Sequence, residues 1–430
     1  MHAPRRLLSC LAALALTAAA VAPSTPASAA APTAPAHRTL PADTRFYVDP
    51  AAGGAQQALA DLRAGDTANA LRMAQLATWP QAIWIDNGTP AQISTQVRRI
   101  MAAARLTRTV PVLVSYYIPG RDCSLYSAGG AQSSAEYRTW IAAFAAAIGD
   151  GKAVVIVEPD GLSLLPKDCA GNIDPTGELT AQRLADLKAA VGLFGAQPHT
   201  SVYLDAGNSG WQAVGVIAER LLQAGIDQAR GFAVNVSNYW RTEQNAQYST
   251  WVAKCVWWST KGPDWARGHT DWCASQYYSA AAPNDGQPGN SVVYEDPSTW
   301  HWTDAWFDQN VGTPPLDQLT HNVIDTSRNG IGPWTAPAGK YSDAETWCNP
   351  PQRGIGARPT AKTGLALTDA FLWIKTIGES DGSCKRGTAG PEDPEYGTVD
   401  PAAGAWWPDM AHWLAANASP TLTFNPRLLP

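Results

Sequence analysis

Residues 133–158 read SSAEYRTWIAAFAAAIGDGKAVVIVE, and the change of pattern within this stretch decides the fold. Ser133 to Glu136 spell a capping box, and residues 134–148 carry an amphipathic helical pattern. The short β-rich apolar run 154–158 follows and ends in an acid. Working outward in both directions, the same alternation recurs from Arg45 onward. Strands are expected at 45–49, 82–86, 110–117, 154–158, 201–205, 232–237, 322–325 and 370–375. Helical patterns lie between them at 93–104, 134–148, 180–194 and 212–224. Such βα units build a parallel sheet, and with no break in composition a single (β/α) barrel accounts for the length better than separate domains. A doubly wound open sheet is the alternative.

The chain has 430 residues, 45% of them hydrophobic and only 16% charged, which excludes disorder as the main state. With 31 Lys and Arg against 37 Asp and Glu it presents no basic surface for nucleic acid. Residues 1–29 read as a signal for export: Arg5 and Arg6, an apolar core, then Ala27-Ser28-Ala29 as cleavage site. Once that leader is removed, no membrane association is expected, and the mature chain is expected to be secreted and monomeric. Residues 30–44 form an Ala/Pro-rich arm, and 45–430 are expected to form one domain. Apart from Cys10 in the leader, six cysteines remain, none in a C-x-x-C spacing, so three disulfides are expected. Six cysteines allow 15 connectivities. The sequential set Cys123/Cys169, Cys255/Cys273 and Cys348/Cys384 closes loops of modest length, and spacing alone leaves the others open.

Residues 239–321 break the rhythm and hold nine of the nineteen Trp. This insertion reads either as a loop that walls a cleft or as a disulfide-pinned cap with its own Trp core. The chemistry is expected at the strand ends, where acids recur: Asp86, Asp122, Glu158, Asp160, Asp205, Asp325, Glu379 and Asp381. A barrel gathers these ends on one face, and carboxylates crowded together cannot all ionise, so at least one should have a raised pKa. Capping of the following helices is the ordinary alternative for any single one. No H-E-x-x-H, phosphate-binding loop or G-x-S-x-G elbow is present, so neither a metal nor another cofactor is expected. Paired carboxylates with Trp platforms for sugar rings remain the leading class.

Several segments carry a resemblance: Val114-Ser-Tyr-Tyr-Ile-Pro-Gly-Arg-Asp-Cys-Ser124, Ser127-Ala-Gly-Gly130, Val157-Glu-Pro-Asp160 and Tyr203-Leu-Asp-Ala-Gly-Asn-Ser-Gly-Trp211. Further along come Asn235-Val-Ser-Asn-Tyr239, Asp325-Thr-Ser-Arg-Asn-Gly330, Trp347-Cys-Asn349 and Trp373-Ile-Lys-Thr-Ile-Gly-Glu-Ser-Asp-Gly382. Together they resemble glycoside hydrolase family 6, the inverting cellulases. The resemblance implies a distorted seven-stranded parallel (β/α) barrel, a TIM-barrel variant with disulfide-bonded loops. It implies that Asp160 is the general acid, that Asp122 holds its pKa up, and that Asp381 is the candidate base. Tyr116 would crowd the sugar at the cleavage point, Lys375 and Glu379 would hydrogen-bond it, and Trp211 and Trp347 would stack on neighbouring sugars. Asp205, Asn208, Asn235 and Asn238 fall in the same motifs and are expected to contact substrate; Asn208 stands where many members carry His. The resemblance also supports the pairs Cys123/Cys169 and Cys348/Cys384. The implied partner is cellulose or another β-1,4-glucan, cut internally because only sixteen residues, 331–346, are available for a covering loop. A cellobiohydrolase, or a glycan-binding protein on a decayed hydrolase scaffold, is the alternative.

Overall fold

The computed structural model describes residues 39–277 and 292–428; the expected leader and most of the arm lie outside the described residues. Seven strands form one sheet: β1 (Ile83–Ile85), β2 (Val112–Ser115), β3 (Ala153–Val157), β4 (Thr200–Asp205), β5 (Gly231–Val234), β6 (His321–Asp325) and β7 (Thr368–Leu372). All neighbours are parallel and their order in space is their order in the chain. That sequential order excludes the doubly wound alternative, which needs a point where the order reverses. The helices are α1 (Gly53–Ala64), α2 (Thr67–Leu76), α3 (Pro90–Thr107), α4 (Ser134–Ile148), α5 (Glu178–Gly195), α6 (Val214–Gln223), α7 (Thr242–Lys261), α8 (His301–Asn310) and α9 (Pro408–Ala416).

The pleat sorts the apolar strand residues into two cores. Val112, Val114, Val154, Ile156, Tyr203, Ala233, Val323, Ala370 and Leu372 meet on the enclosed face of the curled sheet. Their neighbours Leu113, Val155, Val157, Val202, Leu204, Phe232, Val234 and Ile324 turn outward into the larger core with the helices. Alternation of side chains along each strand, together with burial on both faces, explains why these strands read as unbroken apolar runs. The capping box expected at Ser133 is half made: Ser133 Oγ accepts from the Glu136 N–H, while the Glu136 carboxylate takes the Tyr117 hydroxyl instead. A complete box stands at Thr89 and Gln92, at the start of α3.

The sheet is a curled half-barrel, and the closed barrel expected from the sequence needs correction at one seam. No ladder joins β7 to β1 among the described residues. The edges meet where the Ala82 N–H donates to the Trp373 carbonyl at 2.8 Å and the Trp84 indole donates to the Ile374 carbonyl at 2.8 Å. Side chains from α2, α9 and the sheet edge fill the rest of the seam: Met73, Leu76, Trp373, Ile377, Met410 and Leu414 form a separate core there. The expected strand at 45–49 is reduced to one parallel bridge between Phe46 and Val110. β2 already has partners on both sides, so a longer strand there has no edge to join.

Three disulfides are formed, Cys123–Cys169, Cys255–Cys273 and Cys348–Cys384, which is the sequential pairing. Much of the insertion is ordinary crossover. α7 runs along the outside of the sheet, and Trp251, Trp258 and Trp300 are buried in the main core rather than in a cap of their own. The Trp251 indole and the Gln247 amide both donate to Asp304, locking α8 onto α7. No helix among the described residues is long and apolar enough to cross a membrane.

Candidate active site

A cleft of 1480 Å³ opens at the C-terminal ends of the strands. Its walls come from consecutive βα loops: Trp84 and Asp86 from β1, Tyr116 and Asp122 after β2, and Asp160 after β3. Asn208 and Trp211 follow β4, Asn238 and Trp240 follow β5, Trp347 follows β6, and Lys375, Glu379 and Asp381 follow β7. A parallel sheet with sequential order delivers residues far apart in sequence to one place, as in other (β/α) folds.

The loop after β2 is bent hard. Asp122, Cys123 and Ser124 all take positive φ, at 56°, 47° and 65°. Non-glycine residues in this region cost on the order of 1 kcal/mol or more each, so the surroundings must hold them there. The Cys123–Cys169 disulfide anchors the loop to the segment after β3, and the Ser127 N–H donates to Asp122 Oδ2 at 2.7 Å. Arg121 lies over the Tyr116 ring at 4.4 Å and donates to the Ser127 carbonyl, while Trp84 packs edge-on against the same ring at 5.2 Å. Tyr116 is thereby fixed at the cleft floor. Burial of Asp122 raises its pKa above the usual carboxylate value, partly offset by the Ser127 N–H and Arg121.

Asp160 also has positive φ, at 65°, which turns its half-buried carboxyl into the cleft. Its pKa rises to about 7, first because burial disfavours the charge, then because Asp122 and Asp381 add negative charge, with Lys375 opposing. A carboxyl that keeps its proton up to about pH 7 can give that proton to a substrate oxygen at physiological pH.

Asp381 is held very differently. Its Oδ2 accepts from Arg328 Nη1 at 3.0 Å, the Asn349 N–H at 3.1 Å and the Tyr239 hydroxyl at 3.2 Å, and Lys375 Nζ stands 3.7 Å from Oδ1. Arg328 is fully buried, and its guanidinium also lies over the Tyr239 ring at 4.4 Å. Asn349 closes the arrangement from behind. Its Oδ1 accepts the Asp381 N–H at 2.7 Å and its Nδ2 donates to the Gly382 carbonyl and to Asp400. The structure therefore sets a carboxyl that holds its proton in the same cleft as one ringed by donors. Arg328, Tyr239 and Asn349 were not singled out from the sequence, though all three lie inside the quoted motifs.

The other strand-end acids divide. Asp86 and Glu379 line the cleft, and burial raises the pKa of Glu379 with Lys375 opposing. Glu158 is fully buried and accepts from the Tyr117 and Ile118 N–H groups and the Tyr137 hydroxyl. Asp325 accepts four main-chain N–H groups, from Ser237, Ser327, Ile374 and Lys375, and so ties the ends of β5, β6 and β7 together. These two are architectural. Of the expected substrate contacts, Asp205 and Asn235 are placed behind the cleft rather than in its wall. Asp205 shares the inward parity of Tyr203 but is buried under the chain and accepts the Asp160 N–H at 3.0 Å. Its pKa is pushed well up, by burial first and then by Asp160. Asn235 is spent on the turn after β5, donating to the Asp325 carbonyl and accepting from the Trp240 N–H. Asn208 and Asn238 do reach the cleft. Trp79, Trp84, Trp240 and Trp334 also line it, beyond the two expected platforms Trp211 and Trp347.

Residues 41–418 match the profile of glycosyl hydrolases family 6. The chain belongs to that family. Among family 6 relatives, Endoglucanase 1 of Streptomyces halstedii is 35% identical over 398 residues, covering 91% of this chain and 96% of the relative. A protein of Aspergillus fumigatus named a probable 1,4-beta-D-glucan cellobiohydrolase is 28% identical over 369 residues, covering 80% of this chain and 70% of the relative. A solved family 6 endoglucanase from Mycobacterium tuberculosis, in complex with a thio-linked cello-oligosaccharide, superposes with a TM-score of 0.61 at 31% identity. It covers 87% of this chain and 98% of its own. The cleft described above is thus that of a family 6 glycoside hydrolase.

Proposed function

We propose that this chain is a secreted endo-1,4-β-glucanase that hydrolyses internal bonds of cellulose with inversion, Asp160 serving as general acid and Asp381 as base. The observation that carries the reading is the contrast between these two carboxyls in one cleft: Asp160 keeps its proton to about pH 7, while donors converge on Asp381. Asp160 passes its proton to the glycosidic oxygen as the bond from the anomeric carbon breaks. A water on the opposite face attacks that carbon and gives its proton to Asp381, directly or through a second water, so the new hydroxyl has the opposite configuration. Tyr116 crowds the sugar at the cleavage point, Lys375 and Glu379 hydrogen-bond it, and Trp211 and Trp347 stack on its neighbours. Export is supported by the leader and by the three disulfides.

Internal cutting is supported by the shortness of the loop 331–346, which is held against the segment after β7. Lys340 pairs with Glu395 at 2.8 Å, Ser342 Oγ donates to the Gly387 carbonyl at 3.0 Å, and Trp334 packs under the Arg386 guanidinium at 4.9 Å. One observation favours the exo reading: Tyr294, Glu295 and Pro297 of the insertion add to the lining of the cleft. Viscosity loss against reducing ends on carboxymethyl cellulose decides between them. An endo enzyme drops viscosity steeply at low conversion, and a slow drop with steady reducing-end release would overturn the reading.

The pH dependence tests the acid. Only protonated Asp160 can donate, so kcat on unactivated glucan declines as pH rises through about 7. Because the Asp122 charge helps hold that pKa up, Asp122→Asn lowers it, and the alkaline limb moves to lower pH. A limb that stays in place in a pH–rate profile of the variant would show that Asp122 does not act through its charge.

A further inference from the structure

The insertion carries an aromatic shelf that none of the motif residues accounts for. Trp240 packs on Gly210 so closely that a Cβ there would meet the indole at 2.0 Å. Tyr294 lies 5.6 Å from Trp240, and Tyr277 lies 4.8 Å from Tyr294, measured between ring centroids. Both tyrosine hydroxyls are tied to the loop that carries Trp211: Tyr294 donates to the Gly210 carbonyl at 3.2 Å and Tyr277 to the Trp211 carbonyl at 3.1 Å. The Gln276 amide adds donations to the Ser209 and Gln212 carbonyls. Trp211, Trp240 and Tyr294 line the cleft, and Tyr277 continues from them outward with 43% of its surface exposed.

Both tyrosine hydroxyls are already satisfied by the protein, so what the two tyrosines offer a ligand is flat ring surface with little side-chain freedom left to lose. A ring that served only to brace the insertion would be expected to bury its faces. Tyr277 instead keeps its ring near the surface, beside the Trp211 platform. Glu295, exposed at the same rim of the cleft, supplies a carboxylate acceptor for hydroxyl groups.

We propose that the Trp240–Tyr294–Tyr277 shelf is an additional glucosyl subsite continuous with Trp211, so that the cleft grips longer glucan chains than its motif residues alone can reach. The proposal rests on the β-1,4-glucanase reading. Its test is the ratio of kcat/KM on a long soluble cello-oligosaccharide to that on a short one, for wild type, Tyr277→Ala, Tyr294→Ala and Tyr277→Phe. The expected result is a loss of about three- to tenfold on the long substrate, with the short one unchanged, in both Ala variants. Tyr277→Phe keeps the ring and should keep the wild-type ratio. Equal losses on both lengths would reduce the shelf to a brace and overturn the proposal. Wild-type cleavage of the short oligosaccharide establishes the glucanase reading independently, so an unchanged ratio in active Ala variants defeats the subsite alone. Inactivity of the wild type on every length defeats both.

Discussion

Asp160→Asn lowers kcat on cellulose by about 10²- to 10⁴-fold, the usual contribution of a positioned general acid. The asparagine has nearly the same shape and can remain in the same left-handed turn, so the loss reports the proton and not the fold. On an aryl cellobioside whose leaving group needs no protonation, the loss should be much smaller. Stability should move the other way. The folded carboxyl titrates at about 7 against an ordinary value of 3.8, so between those values the folded chain binds the proton more tightly than the unfolded chain does. Folding therefore gives up stability at this site as pH rises from about 4 to about 7. At pH 8 the variant, which carries no charge to bury, should unfold at an equal or higher denaturant concentration than wild type. Near-normal activity on unactivated cellulose would remove Asp160 from the acid role.

Arg386→Ala has the largest expected effect on stability. Arg386 and Asp393 are both fully buried and paired at 2.8 Å. The same guanidinium donates to the carbonyls of Ala344, Cys348 and Asn349. Truncation removes the ion-pair partner of the buried Asp393 and takes a donor from the buried Cys348 and Asn349 carbonyls, a loss of about 3–5 kcal/mol. Denaturant unfolding measures it. Activity should fall as well, because Asn349, which positions Asp381, loses its support from Arg386. Lys at this position should rescue little, since an ammonium cannot reproduce the planar fork. A midpoint unchanged from wild type would show that the pair contributes nothing net.

The helix–strand alternation was legible because each strand is buried on both faces and each crossover helix on one, so the period of the apolar residues changes at every boundary. Residues 45–49 looked the same locally but meet the chain beside β2, whose two edges are already taken, which only the sheet could show. The acids were legible as a set and not as individuals. Glu158, Asp160, Asp205 and Asp325 all stand at or just beyond strand ends, and what separates them is whether main-chain N–H groups are in reach. Asp325 collects four such donors and becomes a tie, whereas Asp160, two residues past Glu158, lines the cleft. The nine Trp of the insertion were counted together in the sequence, yet Trp251, Trp258 and Trp300 are core and only Trp240 reaches the cleft. Composition cannot distinguish a buried indole from a binding one.

The seam between β7 and β1 has a consequence for how the chain reaches this state. Every other joint in the sheet links neighbours in sequence. The seam is held by contacts between the two ends of the chain: Trp79 to Thr423, Asn425 to Thr78, His412 to Asp61 and Arg427 to Thr44, at sequence separations of 344 to 383 residues. Contacts of such long range form late, because the entropy of closing the loop must be met before they return anything. Successive βα units can therefore stack as they emerge from the ribosome, but the full set of seam contacts cannot form until residue 427 has arrived. Until then the edges of β1 and β7, and the apolar side chains that later fill the gap, stay open to chaperones and to other chains.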